Sequence, residues 1–134
     1  MAPEVQAPTV IDASAPADAW ILPSSVEAAA VDMVIAINVT HIAPWEATTG
    51  LVAGAGRLLR PGGRLCIYGP FLGPDGGFTT ESNKDFDANL RSRDTRWGYR
   101  DVRDIEAEAK KAGFSGASVM DMPANNQLIA FVRS

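Results

Sequence analysis

The stretch from Asp32 to Gly69 constrains this chain more than any other. Asp32-Met-Val-Ile-Ala-Ile-Asn38 is an unbroken apolar run closed by polar residues, the pattern of a strand buried on both faces of a parallel sheet. Pro44 is placed to open a helix at its first turn. Leu51, Ala55, Leu58 and Leu59 then recur at helical spacing, which predicts a helix through Arg60. Pro61-Gly62-Gly63 stops it. Arg64-Leu-Cys-Ile-Tyr-Gly69 reads as a second buried strand. A strand–helix–strand unit of this kind normally joins parallel strands by a right-handed crossover.

The flanking sequence extends the alternation. Thr9-Val-Ile-Asp12 reads as a weak strand, and Ser24 or Ser25 as the cap of a short helical segment through Ala30. Beyond the core unit, the polar and aromatic stretch 70–98 predicts a short helix over 83–93, capped through Thr80 with Asn83 or Ser82 with Asp85. A further helix is expected over 101–112, with Ile105 and Ala109 inward and Gly113 beyond its end. Strands at 115–122 and 127–132, joined by Pro123-Ala-Asn-Asn126, read as an antiparallel hairpin. The sum is an α/β open sheet, mostly parallel, in one domain over 9–134, behind a Pro- and Ala-rich segment 1–8 expected to fray.

Composition narrows the function classes. With 12 Lys and Arg against 16 Asp and Glu, the net charge is −4, so the clustered positive excess of a nucleic-acid footprint is missing. The basic residues between Arg91 and Lys111 are interleaved with Asp94, Asp101, Asp104, Glu106 and Glu108, as on a solvated face. No apolar run approaches the roughly 20 residues that span a bilayer. The N-terminus carries no basic segment followed by an apolar one, so a cytoplasmic location is expected. One cysteine, Cys66, and one histidine are too few for the usual zinc site, and Cys66 reads as a small core residue.

In open α/β sheets, ligands bind outside the C-terminal ends of the parallel strands. Asp12-Ala13, Asn38-Val-Thr-His41 and Tyr68-Gly-Pro-Phe71 fall there. Asn38 could hold a ligand's amino group through its side-chain carbonyl, and His41 could act as a base or an orienting donor. The competing reading makes Asn38 a strand terminator and His41 a packed side chain. Asn38-Val39-Thr40 also fits a glycosylation sequon, but it abuts a buried strand and reads as accidental. Gly50, Gly54 and Gly56 lie inside the expected helix, where they serve close packing against the sheet rather than a dinucleotide turn. Asp85 and Asp87 are spaced to point apart on a helix. Trp45, Phe86, Trp97 and Tyr99 either wall an apolar pocket or staple the long loop to the sheet. Arg91, Arg93, Arg96 and Arg100 offer anion-binding forks, each with an Asp nearby as a plainer partner.

Several strings are distinctive: INVTHIAPWEAT (37–48), LLRPGG (58–63), YGPF (68–71), GGFTTESNKDFDANLRSRD (76–94), WGYRD (97–101) and MPANNQLIAF (122–131). Over roughly 9–134 they resemble the family catalogued as domain of unknown function 938, which includes the methyltransferase-like protein 26 group. That family is similar to class I methyltransferases, which bind S-adenosylmethionine in a Rossmann-like sheet. The resemblance implies that Asp12 and Ala13 flank the adenine pocket and that Asn38 and Val39 run under the cofactor. It places Tyr68, Asn83, Asp87, Arg91 and Trp97 on the substrate side, and His41 there as the candidate catalytic base. It covers a C-terminal portion only, without the first two strands and the Gly-rich cofactor loop of such a sheet. The resemblance therefore implies a truncated Rossmann-like sheet and a methyltransferase-like protein of weak or absent activity as an isolated chain. Its acceptor would be an unidentified small molecule or protein. The alternative is a non-catalytic interaction module. In the parent sheet, residues 32–38 would pair with the missing first strand, so an open, apolar edge there would recruit a second chain by strand addition.

Overall fold

The computed structural model describes residues 5–134; the expectation for the frayed segment falls partly on residues 1–4, outside that range. Strand β1 (Val31–Ile37) leads into helix α1 (Trp45–Leu58), which returns through strand β2 (Leu59–Gly69). Helices α2 (Glu81–Arg93) and α3 (Val102–Lys111) follow, then strands β3 (Ser118–Met122) and β4 (Asn126–Val132). The sheet order is β1-β2-β4-β3. β1 runs parallel to β2, while β2–β4 and β3–β4 are antiparallel. The fold is therefore an open, mixed α/β sheet around one parallel crossover, as the 32–69 pattern requires.

Pro44 precedes the first turn of α1, where its missing N–H is no loss. The helix ends at Leu58, earlier than its apolar spacing suggests, because Leu59 already pairs with Val31. Pro61-Gly62-Gly63 lies within β2 as an irregularity: the register jumps from Val31 opposite Leu59 to Met33 opposite Arg64. Gly62 takes φ +83° there, a left-handed conformation that glycine adopts without penalty. Its N–H donates to the Arg133 carbonyl at 2.8 Å, and the Arg133 N–H donates to the Gly63 carbonyl at 2.8 Å. Thr80 is the cap of α2, its Oγ1 accepting from the Asn83 N–H at 3.0 Å. Asp101 caps α3 by accepting from the Arg103 N–H at 2.9 Å.

Helices α1 and α3 pack together over one face of the sheet. Leu65, Ile67, Ile129 and Phe131 on that face are all 0% exposed. The opposite face is bare. Met33, Ile35 and Ile37 of β1 stand there at 47–62% exposure, beside Cys66 and Tyr68 of β2. The expectation that β1 is buried on both faces is thus met on one side only. No described helix crosses the other side to cover it.

The segment before β1 departs from expectation. Thr9–Asp12 forms no strand, and no helix forms between Ser24 and Ala30. A strand at 9–12 would need a partner, but Val10 is 95% exposed with no ladder beside it. Residues 13–30 are laid along α1. Gly50 and Gly54 leave room for this: a Cβ on Gly50 would strike the Ala13 carbonyl, and one on Gly54 would strike the Trp20 ring. A Cβ on Gly56 would meet the Ala112 carbonyl at 2.8 Å. The three small residues therefore admit this segment and the end of α3, rather than the sheet. The Ala29 and Ala30 N–H groups donate to the Arg57 and Leu58 carbonyls at 3.0 and 3.1 Å, which brings the chain to the start of β1.

Candidate functional site

Strand β1 ends abruptly at Asn38, whose φ of 54° is left-handed. Asparagine tolerates that region better than branched residues do, and the conformation turns the chain out of the sheet. The Asn38 N–H still donates to the Tyr68 carbonyl at 2.9 Å, so the turn is fixed at the carboxyl ends of both parallel strands. Arg100 clamps the segment after the turn: its Nε donates to the Thr40 carbonyl at 3.1 Å and its Nη2 to the Ala43 carbonyl at 2.8 Å. The Gly98 N–H donates to the His41 carbonyl at 3.0 Å. His41 is held from both sides and is 4% exposed.

The second wall comes from α2 and the segment after it. Asp87 joins them, one carboxylate oxygen accepting from the Tyr99 N–H at 2.8 Å and the other from Arg91 Nε at 2.9 Å. Phe86, one residue back on α2, and Tyr99 meet the His41 ring edge-on, with centroids 6.0 and 6.4 Å away. Asn83 is buried one turn earlier, its Nδ2 donating to Thr79 Oγ1 at 3.1 Å.

These groups line an open cavity of about 460 Å³, with Asn38, His41, Asn83, Phe86, Tyr99 and, from the β3–β4 turn, Asn125 and Asn126 on its walls. Its position outside the carboxyl ends of parallel strands is where open α/β sheets bind ligands. His41 Nδ1 is buried with no hydrogen-bond partner, although buried polar atoms in folded proteins are nearly always paired. It lies near the Asn38 carboxamide, both beside Gly69: a Cβ there would be 3.5 Å from His41 Nδ1 and 3.6 Å from Asn38 Oδ1. Burial, and next the positive charge of Arg100, hold the imidazole pKa below its ordinary 6.5. A neutral imidazole with a free ring nitrogen can accept a proton or a hydrogen bond from a ligand. Burial, then Asp87, pushes the Tyr99 hydroxyl above its usual 10.0, so it stays protonated.

Of the residues singled out in the sequence, Asn38, His41 and Asn83 line this cavity, and Asp87 braces its wall from behind. Val39 packs on the core. Tyr68 stands on the bare sheet face between Ile37 and Leu128. Arg91 is spent on Asp87, and Trp97 lies under the Arg93 guanidinium at 5.6 Å. Asp12 and Ala13 are not in the lining. The Asp12 carboxylate instead accepts from the Ser14 N–H and hydroxyl at 3.0 and 2.6 Å, which keeps its pKa low. Among the four aromatic candidates, Phe86 and Tyr99 wall the cavity, whereas Trp45 lies under Arg100 at 5.6 Å. The sequence reading missed Asn125 and Asn126 as lining residues because Asn-Asn is also an ordinary turn signal. Left-handed φ values at the turn, 61° at Ala124 and 60° at Asn125, turn the chain between β3 and β4 where these residues sit. The described residues hold no metal-ligating cluster and no helix long and apolar enough to cross a membrane.

A family model described as protein of unknown function (DUF938) matches residues 1–133. The chain belongs to that family. Its fold is shared with solved methyltransferases. Human N-acetylserotonin methyltransferase in complex with SAM superposes with a TM-score of 0.67 at 17% identity, over 77% of this chain and 29% of the other. A putative O-methyltransferase from Nostoc punctiforme PCC 73102 gives 0.66 at 17% identity, over 76% and 31%. CalO1, a methyltransferase in calicheamicin biosynthesis in its SAH-bound form, gives 0.64 at 14% identity, over 77% and 30%. The chain spans about three tenths of the length of these structures. The methyltransferase-like, Rossmann-like fold is thereby established.

Proposed function

We infer that the His41 cavity is the acceptor side of an S-adenosylmethionine-dependent methyltransferase site. The observation that carries this reading is His41, whose buried Nδ1 has no hydrogen-bond partner, in the lining of a cavity at the carboxyl ends of the parallel strands beside Asn38. A phenol or other hydroxyl acceptor stacked against Phe86 and Tyr99 would satisfy that nitrogen. It would lose its proton to a base already neutral at pH 7. Asn38, where the chain leaves β1, would hold the cofactor beside the acceptor, with Val39 packed on the core behind it. Of the expected cofactor-side residues, Asn38 lines the cavity, whereas Asp12 and Ala13 do not. The described residues contain no strand–glycine–helix turn for its amino-acid portion, so binding of that part draws on nothing described in the fold. When bound, S-adenosylmethionine supplies a methyl group on a sulfonium. What this chain adds is position: displacement needs donor and acceptor in line, and holding them so is a large part of the catalysis available.

The test is transfer of labelled methyl from S-adenosylmethionine to a panel of phenols and hydroxyindoles. Transfer that falls at least about a hundredfold in His41→Gln, within the usual range for losing a general base, supports the reading. Transfer unaffected by His41→Gln, or none from a folded chain across the panel, refutes it.

A further inference from the structure

We propose that Arg100 is the positioning residue of this site: its guanidinium fork fixes the His41 segment at the strand ends, and its charge opposes a second positive charge on the imidazole. The inference deepens the reading of His41 as a base and takes its functional meaning from that reading.

Arg100 stands where three parts of the site meet. Its main chain is tied to the end of β2, where it bridges Phe71 and its carbonyl accepts from the Leu72 N–H at 3.0 Å. One residue back, the Tyr99 N–H is held by Asp87 of α2 at 2.8 Å. The Arg100 side chain then crosses to the segment that leaves β1, with Nε on the Thr40 carbonyl and Nη2 on the Ala43 carbonyl. Those two residues flank His41, so one planar fork brackets it. The Gly98 N–H, on the His41 carbonyl itself, adds a tie from the same stretch. A guanidinium suits this task because its donors are fixed in one plane, whereas an ammonium is a point charge on a flexible stem.

The nature of the partners matters as much as their places. Besides Thr40 and Ala43, Nη2 donates to the Arg96 carbonyl at 2.8 Å, and the guanidinium lies over the Trp45 ring at 5.6 Å. Carbonyls and a ring satisfy the donors but bring no formal negative charge, so the cation keeps its field. The charged groups on the neighbouring elements are Asp87 and Arg91 of α2 and Glu46 of α1. Asp87 and Arg91 pair with each other, while Glu46 and Asp87 favour the charged form of Arg100. The Tyr99 hydroxyl stays protonated. Next after burial, Arg100 is the group that keeps the imidazole neutral.

The chain has one histidine, so the ring signals in a proton–carbon NMR titration report His41 alone. Arg100→Gln removes the charge, and Arg100→Lys keeps the charge without the fork. The parent midpoint should lie below 6.5. Arg100→Gln should raise it by about 0.5 or more, the scale of one nearby charge in a partly solvated site, whereas Arg100→Lys should leave it in place. Arg100→Lys should instead speed hydrogen exchange of the Gly98 N–H at least about tenfold, because its acceptor is no longer bracketed. A parent midpoint at or above 6.5, no rise in Arg100→Gln, an equal rise in both variants, or unaltered exchange in Arg100→Lys would each overturn the proposal. An equal rise would mean that Arg100 only keeps water out. If circular dichroism shows Arg100→Gln unfolded, the midpoint and exchange of Arg100→Lys still decide. None of these readings depends on methyl transfer. A chain that shows the expected pattern but transfers no methyl group refutes the acceptor-side reading and leaves the coupling of Arg100 to His41 standing.

Discussion

The two faces of the sheet are made from the same strands, yet only one of them is covered in the described fold. On one, Leu65, Ile67, Ile129 and Phe131 are fully enclosed by α1 and α3. On the other, Ile35 and Ile37 are more than half exposed, and Met120 of β3 stands at 61% in the same row as Tyr68 and Leu128. Apart from Asp32, the two sides of β1 are chemically alike, since Val34 and Ala36 alternate with Met33, Ile35 and Ile37. The difference lies in where the helices are. Stability within the described fold comes from the covered face. The candidate site sits at the rim between them, built from the turn at Asn38 and braced by Arg100 and Asp87.

The contrast is sharpest in deletions. Ile67→Ala on the covered face should cost about 2–5 kcal/mol, the usual range for a fully enclosed aliphatic side chain, read from urea unfolding. A loss under about 1 kcal/mol would mean the helices do not pack as described. Gly50→Ala tests the segment laid along α1, because its new Cβ would strike the Ala13 carbonyl. Displacing that segment should cost about 1–3 kcal/mol, offset in part by up to ~1 kcal/mol of helix propensity. Unchanged stability together with unchanged Trp20 fluorescence would show that residues 13–30 do not lie there. Thr80→Ala should lose about 1 kcal/mol, the worth of the α2 cap. On the bare face, Ile35→Ala should change stability by no more than about 0.5 kcal/mol. An effect comparable with Ile67→Ala would erase the distinction between the faces.

The site responds to pH in a direction set by burial. The folded-state pKa of His41 lies below 6.5 while the unfolded chain keeps the ordinary value, so below pH 6.5 the unfolded state binds the proton first. The contribution of neutral His41 is complete above pH 6.5 and is lost as pH falls from there toward the lower folded value. Urea midpoints should therefore fall more for the parent chain than for His41→Gln between about pH 7.5 and 5. An equal fall in both would place His41 in contact with water.

Much of this was legible in the sequence. The parallel pair and its crossover came from 32–69, because a continuous apolar run, a proline-opened helix and a second run leave few other arrangements. Both later helices and the terminal hairpin came from caps and turn residues. At the site, Asn38, His41 and Asn83 were legible from the strand end and the family resemblance. The failures share one cause: they depend on what lies across from a residue. Thr9–Asp12 has strand-like composition but no partner strand. Gly50 and Gly54 read as close packing against the sheet, yet what they admit is Ala13 and Trp20, 37 and 34 residues upstream, invisible to any local pattern. The continuous apolar character of β1 was read as burial on both faces, and the described fold covers one, leaving Met33, Ile35 and Ile37 exposed on the other.

Whether the strand-end cavity is a ligand site is decided most directly by calorimetric titration of the folded chain with S-adenosylhomocysteine. Asn38→Gly is the matched variant, since glycine keeps the left-handed turn while removing the carboxamide. A ligand site there predicts saturable binding that weakens at least about tenfold, or ~1.4 kcal/mol, in Asn38→Gly. No heat from a folded sample, or binding indifferent to Asn38→Gly, would contradict that role for the cavity.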